Sequence, residues 1–257
     1  MSFRKMLGKS VTSIATKRGY ELVPFWKMAE RPLVNQLQRV FALYGIDTVI
    51  DVGANKGQFH DLIRNDVGFQ GKIHSFEPVS SYARELEKKS ISDPAWKIHS
   101  YALGSEPGTA EINVTRSPGL NSFLAPRTDV VTDFWNDDSI SGVERVMVRT
   151  LDEVLAEEGI DCSRQGVYLK LDTQGFDLEV IKGAGKSIGG IRGLQTEASI
   201  QPIYHGMPTY GETLQKLNEL GFALSGMFPV TSDASLRLIE LDFVFINNHF
   251  SSLMKAE

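Results

Sequence analysis

The chain has 257 residues, 42% hydrophobic and 23% charged, enough for one α/β domain with a decorated edge at about 100 to 200 residues per domain. Its net charge of −5 and pI near 5.6 give no overall cationic field for a phosphate backbone, which argues against a nucleic-acid partner. Cys162 is the only cysteine, which excludes an internal disulfide, a thiolate zinc cluster and a paired redox motif, and fits a cytoplasmic protein. No apolar run approaches the roughly 18 residues of a spanning helix, and the N-terminus lacks the apolar core of a signal peptide.

Residues 1–20 set Phe3, Leu7, Val11 and Ile14 at helical spacing beside Arg4, Lys5, Lys9, Lys17 and Arg18, with no acid before Glu21. A basic amphipathic segment of this kind either touches an anionic membrane surface or a partner, or packs on its own domain or on a second subunit of a homo-oligomer. Pro32 at a helix start, then Leu33, Leu37, Val40, Phe41 and Tyr44, then Gly45 as a stop, predict a helix. These residues form a helical N-terminal extension over 1–44, ahead of a main domain over 45–257.

The main domain opens with TVIDVGANKGQF, residues 48–59. Val49, Ile50 and Val52 suit a strand buried on both faces, and Gly53 and Gly57 let the backbone turn sharply into a helix. A dinucleotide fingerprint requires G-x-G-x-x-G without an acid before it, because the turn receives a pyrophosphate. Here the turn reads Gly53-Ala54-Asn55-Lys56-Gly57 and follows Asp51, so a nicotinamide-dependent oxidoreductase is the poorer reading. A carboxylate there suits a ligand bearing an ammonium and a sulfonium, as S-adenosylmethionine (SAM) does. Glu77 closes the next strand, 72–76, about 20 residues after the glycine loop, where an acid holds ribose hydroxyls.

A helix over 80–89 and a strand over 96–101 follow, and strand and helix alternate as a parallel sheet requires. Residues 105–149 form a long excursion that contains two alternating stretches, 110–114 and 145–149, read as an added β-hairpin. Long ordered loops are commonly functional, which assigns the excursion to an acceptor pocket or a lid. Thr150 and Glu153 make a capping box for a short helix ending at Gly159. Strand 167–171 then delivers Asp172 to the carboxyl edge of the sheet, where open α/β sheets bind ligands. Asp177 and Glu179 fall in the first turn of the next helix and read as structural. A strand over 191–197 ends in Glu197, and the loop 198–208 carries His205. After a helix capped by Thr209 and Glu212, two strands over 222–225 and 241–246 close the sheet as an antiparallel pair.

In order, VIDVGANKGQF, SFEP, YALGSEPG, TLDEVL, LKLDTQGFDLEVIKGA and LQTEASIQPIYHGMPTYGE resemble the FkbM family of SAM-dependent methyltransferases over roughly residues 45–247. The resemblance implies a class I, Rossmann-like fold with a seven-stranded, mostly parallel sheet and helices on both faces. It also implies O-methylation, with known members acting on sugar hydroxyls of glycolipids and polysaccharides and on natural-product scaffolds. Position by position, Asp51, Gly53, Asn55 and Gly57 would hold the methionine half of SAM, Glu77 the ribose, and Ala102 a backbone contact beside the adenine. Asp172 is counted with the cofactor site and with catalysis. Tyr101 stands where relatives often have Asn, and Gln174 where many have Glu.

A sugar hydroxyl needs a base within hydrogen-bond reach as well as alignment with the methyl group. His205 is the first candidate, since an ordinary imidazole is mostly neutral at physiological pH. Asp172 and Glu197 either orient it or accept the proton themselves. The same two carboxylates suit Mg²⁺, but without a third ligand they do not define a metal site, and none is expected. The other histidines, His60, His74, His99 and His249, read as structural or surface residues. A non-catalytic SAM-binding adaptor acting through its N-terminal helix is the alternative to an enzyme. An acidic, cysteine-poor enzyme with a basic helical start fits glycan assembly at the inner membrane face.

Overall fold

The computed structural model describes residues 17–20, 22–127 and 140–253, so most of the basic segment 1–20 lies outside the described residues. The first regular helix, α1 (Arg31–Leu43), carries Pro at its start and buries Leu33, Val34, Leu37, Val40 and Phe41. That stripe packs on Val49, Ile73, Tyr168 and Val244, so α1 covers one face of the main sheet.

The sheet has seven strands. They are β1 (Thr48–Val52), β2 (Lys72–Phe76), β3 (Trp96–His99), β7 (Val167–Leu171), β8 (Gly193–Ser199), β9 (Phe222–Ser232) and β10 (Leu238–Asn247), in the spatial order β3-β2-β1-β7-β8-β10-β9. The first five pair in parallel, while β10 runs antiparallel to both β8 and β9. All five residues of β1 and of β7 are buried, as strands covered by helices on both sides must be. On the face opposite α1, Ile50, Phe76, Leu169 and Leu194 meet Leu151, Val154, Val180 and Leu217. The order reverses between β1 and β7, which opens a crevice at their carboxyl ends.

The remaining strands are β4 (Ala102–Leu103), β5 (Gly108–Val114) and β6 (Gly142–Arg149), which form a small second sheet in the order β4-β6-β5. The helices α2 (Gln58–Leu62), α3 (Ser80–Ser90), α4 (Leu151–Glu157), α5 (Asp177–Lys182), α6 (Tyr210–Glu219) and α7 (Asn248–Leu253) complete the chain. Both expected capping boxes are present, Thr150 with Glu153 and Thr209 with Glu212. No helix of the described residues is long and apolar enough to cross a membrane.

Several expected boundaries move, for tertiary reasons. The strand expected over 96–101 ends at His99, whose carbonyl accepts from Glu77 N, and Ala102 leaves to pair with Val148 in the second sheet. The expected hairpin therefore gains a third strand. β8 runs two residues past Glu197 because Ser199 still pairs with Glu240. β9 continues from Ser225 to Ser232 and β10 begins at Leu238, so a stretch that reads as a polar connection is paired strand. Polar residues are acceptable there because β9 is an edge strand with one side open to water.

Candidate active site

The loop after β1 is shaped by its neighbours before any ligand is considered. Gly53 has φ +81°, and a Cβ on it would lie 1.9 Å from the carbonyl oxygen of Asp172, so only glycine lets β1 and β7 release their loops side by side. Gly53 and Ala54 both donate to Phe76 O at 3.0 Å. Asn55 sits in the left-handed region at φ 48°, which points its N–H at Glu77 Oε2, 2.7 Å away. Gly57, at φ +84°, packs against Trp96 and Leu86, and this packing explains the second glycine.

These turns leave a cavity above the carboxyl ends of β1 and β2. Glu77 stands in its wall, with Oε1 accepting from Val79 N at 2.9 Å, and burial pushes its pKa up to about 7. The apolar side is made by Phe76, Ala102, Leu103, Ile112 and Phe123, and Gly53, Asn55 and Asp172 close the other end. The excursion expected at an acceptor pocket or lid thus supplies walls of the Glu77 cavity, through Ile112, Gly119, Asn121 and Phe123.

Asp51 is fully buried behind the loop and does not line this cavity. Its Oδ2 accepts from Ser75 Oγ at 2.8 Å, and its Oδ1 is 3.9 Å from Lys170 Nζ. Burial raises its pKa, and Lys170 and Ser75 oppose that rise. Lys170 is the feature that sequence reading missed. Burial disfavours its charge, but Asp172 at 2.9 Å and Asp51 more than offset this and hold its pKa above the ordinary range. Its signal was present, since a lysine inside VYLKL breaks an otherwise apolar buried strand.

Asp172 lines the first cavity and also a second, larger and more open one on the other side of the β7 edge. The second cavity is walled by Lys170, Gln195, Glu197 and Asp242, with Phe59, Lys27 and Glu30 across from them. Gln174, held at φ 51°, donates its side-chain amide to Asp172 Oδ1 at 3.1 Å and to Glu197 Oε2 at 2.7 Å. Tyr204 Oη donates to the same amide's oxygen at 3.0 Å, which fixes its orientation. Burial, then repulsion by Asp172, Glu240 and Asp242, raises the pKa of Glu197 well above the carboxylate range. Burial also lifts Glu240 to about 7 and Asp242 to about 6.

His205 takes no part in this cluster. It is exposed, lines neither cavity, and anchors its loop by donating its backbone N–H to Ala125 O at 2.8 Å. Asp177 accepts from Thr173 and Thr196 as a buried structural acid. His60 stacks on Trp96 with ring centroids 3.6 Å apart.

The model of the FkbM methyltransferase domain matches residues 51–224, about two thirds of the chain. The chain belongs to this family. Similar solved structures include an FkbM methyltransferase from Methylobacillus flagellatus KT, with 18% identity and a TM-score of 0.47 over 77% of this chain. The match covers 43% of that protein, so the present chain spans less than half its length. The magnesium protoporphyrin IX methyltransferase of Synechocystis PCC 6803, solved with SAM, shares 11% identity over 96% of this chain and 98% of its own, with a TM-score of 0.41. Aeropyrum pernix fibrillarin, also with SAM, shares 10% identity over 80% and 73%, with a TM-score of 0.41. A comparison with proteins of curated function gives no match.

This chain carries the FkbM methyltransferase domain on a seven-stranded, mostly parallel sheet that closes with an antiparallel pair, and the cofactor expected of it is SAM. The Glu77 cavity fits the cofactor chemically. It offers one acid for a vicinal diol, an apolar slot for a purine, and a buried Asn55 Oδ1 that has no protein partner. Both departures from the family pattern have visible consequences. Tyr101 turns away from this cavity, with its hydroxyl 3.1 Å from His99 Nδ1. Gln174 puts an amide donor between two acids, where a Glu would add a third negative charge. With Lys170 on the other side of Asp172, the oxygens that would hold Mg²⁺ face an ammonium and an amide N–H.

Proposed function

We propose that this protein transfers the methyl group of SAM to a hydroxyl of a sugar, in a glycan, a glycolipid or a glycosylated natural product. The supporting observation is that Asp172 borders both cavities, so a donor in the Glu77 cavity and an acceptor in the acidic cavity meet at one carboxylate. When bound, SAM supplies a methyl carbon already activated by its sulfonium.

The chain's own task is alignment and proton removal. A row of carboxylates with one amide is a good acceptor set for the several hydroxyls of a sugar ring, and Phe59 offers an apolar face beside it. Asp172 accepts the hydroxyl proton as the oxygen attacks. Lys170 pairs with Asp172 at 2.9 Å, and Gln174 holds its other oxygen in place. Glu197, whose pKa burial and the neighbouring carboxylates raise, lines the acceptor side of the same cavity. His205 reaches this cavity only if its exposed loop folds inward, so Asp172 takes the role of base in this reading.

The test is transfer of labelled methyl from SAM to a panel of mono- and oligosaccharides, free and lipid-linked, by wild type and Asp172→Asn. Transfer by wild type, reduced about 10²- to 10⁴-fold in kcat in the variant with S-adenosylhomocysteine still bound, is expected. An unchanged kcat in Asp172→Asn would remove the proposed base. Binding of S-adenosylhomocysteine without transfer to any acceptor would favour the adaptor reading.

A further inference from the structure

Away from both cavities, three ligating side chains converge at the junction of β2, β3 and the end of α4. His74 lies in the middle of β2, His99 ends β3, and Glu158 caps α4. The parallel register sets Phe76 beside His99 and His74 beside Lys97, so both imidazoles project from one face of the sheet toward Glu158. His74 Nδ1 lies 3.2 Å from His99 Nε2 and 4.0 Å from Glu158 Oε2, and one ligand atom from each residue lies within 4.8 Å of the other two.

We propose that His74, His99 and Glu158 form a binding site for a divalent transition ion of the Zn²⁺ class, which ties β2, β3 and α4 together behind the cofactor wall. Two imidazole nitrogens and one carboxylate oxygen are a zinc ligand set, with a fourth position for water. Bonds of about 2.0–2.2 Å in tetrahedral array place ligand atoms roughly 3.3–3.5 Å apart. The separations here bracket that spacing, so an ion requires shifts of under about 1 Å. His99 is fixed on both sides, its ring stacked on Phe76 at 4.5 Å and its Nδ1 bonded to Tyr101 Oη, as an orienting partner fixes a metal-bound histidine. Mg²⁺ is a poor fit, because it prefers an all-oxygen shell.

Lys97 is the competitor. Its ammonium sits 2.7 Å from both oxygens of Glu158, but its side chain is 57% exposed and free to swing into water. The ion would replace that ammonium as the counter-charge of Glu158 and would replace the hydrogen bond between the two histidines. Its effect reaches the cofactor side by a short route. Phe76 lines the Glu77 cavity, and Glu77 N donates to His99 O at 3.0 Å.

The experiment uses the full chain, freed of metal by chelator and titrated with Co²⁺ followed by visible absorption, then with Zn²⁺ by calorimetry. One ion per chain is expected, with d–d bands of a four-coordinate N/O site. His99→Phe, which keeps the stack on Phe76, and Glu158→Gln are expected to weaken binding by at least about tenfold, the scale seen when metal-site partners are removed. Lys97→Met is expected to tighten it several-fold. That opposite sign separates a designed site from a general loss of fold, and an exposed position makes misfolding of this variant a small risk. No Zn²⁺ binding below about 100 μM, or binding equally strong in wild type, His99→Phe and Lys97→Met, would overturn the proposal.

Discussion

The two sides of the β1–β7 crevice are built differently. On the Glu77 side, the loop after β1 and the acid ending β2 are joined by the Asn55–Glu77 hydrogen bond between residues 22 apart, and β4 and the excursion add the apolar wall. On the Asp172 side, the cluster gathers Lys170, Asp172, Gln174, Glu197, Glu240 and Asp242 from strands spread over the last third of the chain. The first side is a cavity held by backbone turns. The second is a store of negative charge balanced by one buried lysine, and the two sides should fail in different ways when mutated.

The largest effect is expected from that lysine. Lys170→Met leaves Asp172 and Asp51 facing each other with no cation, and breaking a buried ion pair costs about 3–5 kcal/mol. Urea denaturation is expected to show the loss, and a wild-type midpoint in this variant would mean that the lysine contributes nothing to holding the two carboxylates.

On the other side, Glu77→Ala is expected to weaken S-adenosylhomocysteine binding by about 10- to 100-fold, the loss of a charge-assisted pair of hydrogen bonds at about 1.5–3 kcal/mol, and to lower the melting temperature, since Asn55 N and Val79 N lose their acceptor. Equal affinity in calorimetry would take the ribose out of the Glu77 cavity.

A smaller effect separates the two sides by pH. Glu77, Glu240 and Asp242 have pKa values raised to about 7, 7 and 6, so between about pH 4.5 and 7 the folded chain holds protons that the unfolded chain has released. Stability of the cofactor-free protein should therefore fall as pH rises through that window. His99 opposes this, since its pKa is lowered to about 4 and it contributes stability that grows with pH between about 4 and 6.5. Denaturant midpoints at pH 5 and 7.5 should show a net decline, with a smaller decline in Glu240→Gln. A midpoint that rises across the window in wild type would contradict the burial of these acids. The smallest effect is expected from His205→Ala, with kcat within about twofold of wild type, since an exposed loop residue outside both cavities is typically worth under about 0.5 kcal/mol. A loss beyond tenfold would bring the His205 loop into the reaction.

Much of the Glu77 side was legible in the sequence because its cause is local. The apolar run of Val49, Ile50 and Val52, the Gly53 turn and the acid ending β2 each specify their own backbone, and the Thr150 and Thr209 capping boxes set helix starts by contacts three residues apart. The same locality explains the misplaced limits. His99, Ser199 and Ser232 end or extend strands according to a partner strand distant in sequence, and no local pattern carries that information.

The sequence by itself determined the α/β order, the parallel start and antiparallel finish of the sheet, the family, and the acids at strands β2, β7 and β8. Only the tertiary structure decided how those acids are used. It buried Asp51 behind its loop, put Lys170 between two carboxylates, made Gln174 a bridge, and left His205 outside. Charge in a buried cluster depends on distances between residues far apart in the chain, and those distances are set by the packing of the whole sheet.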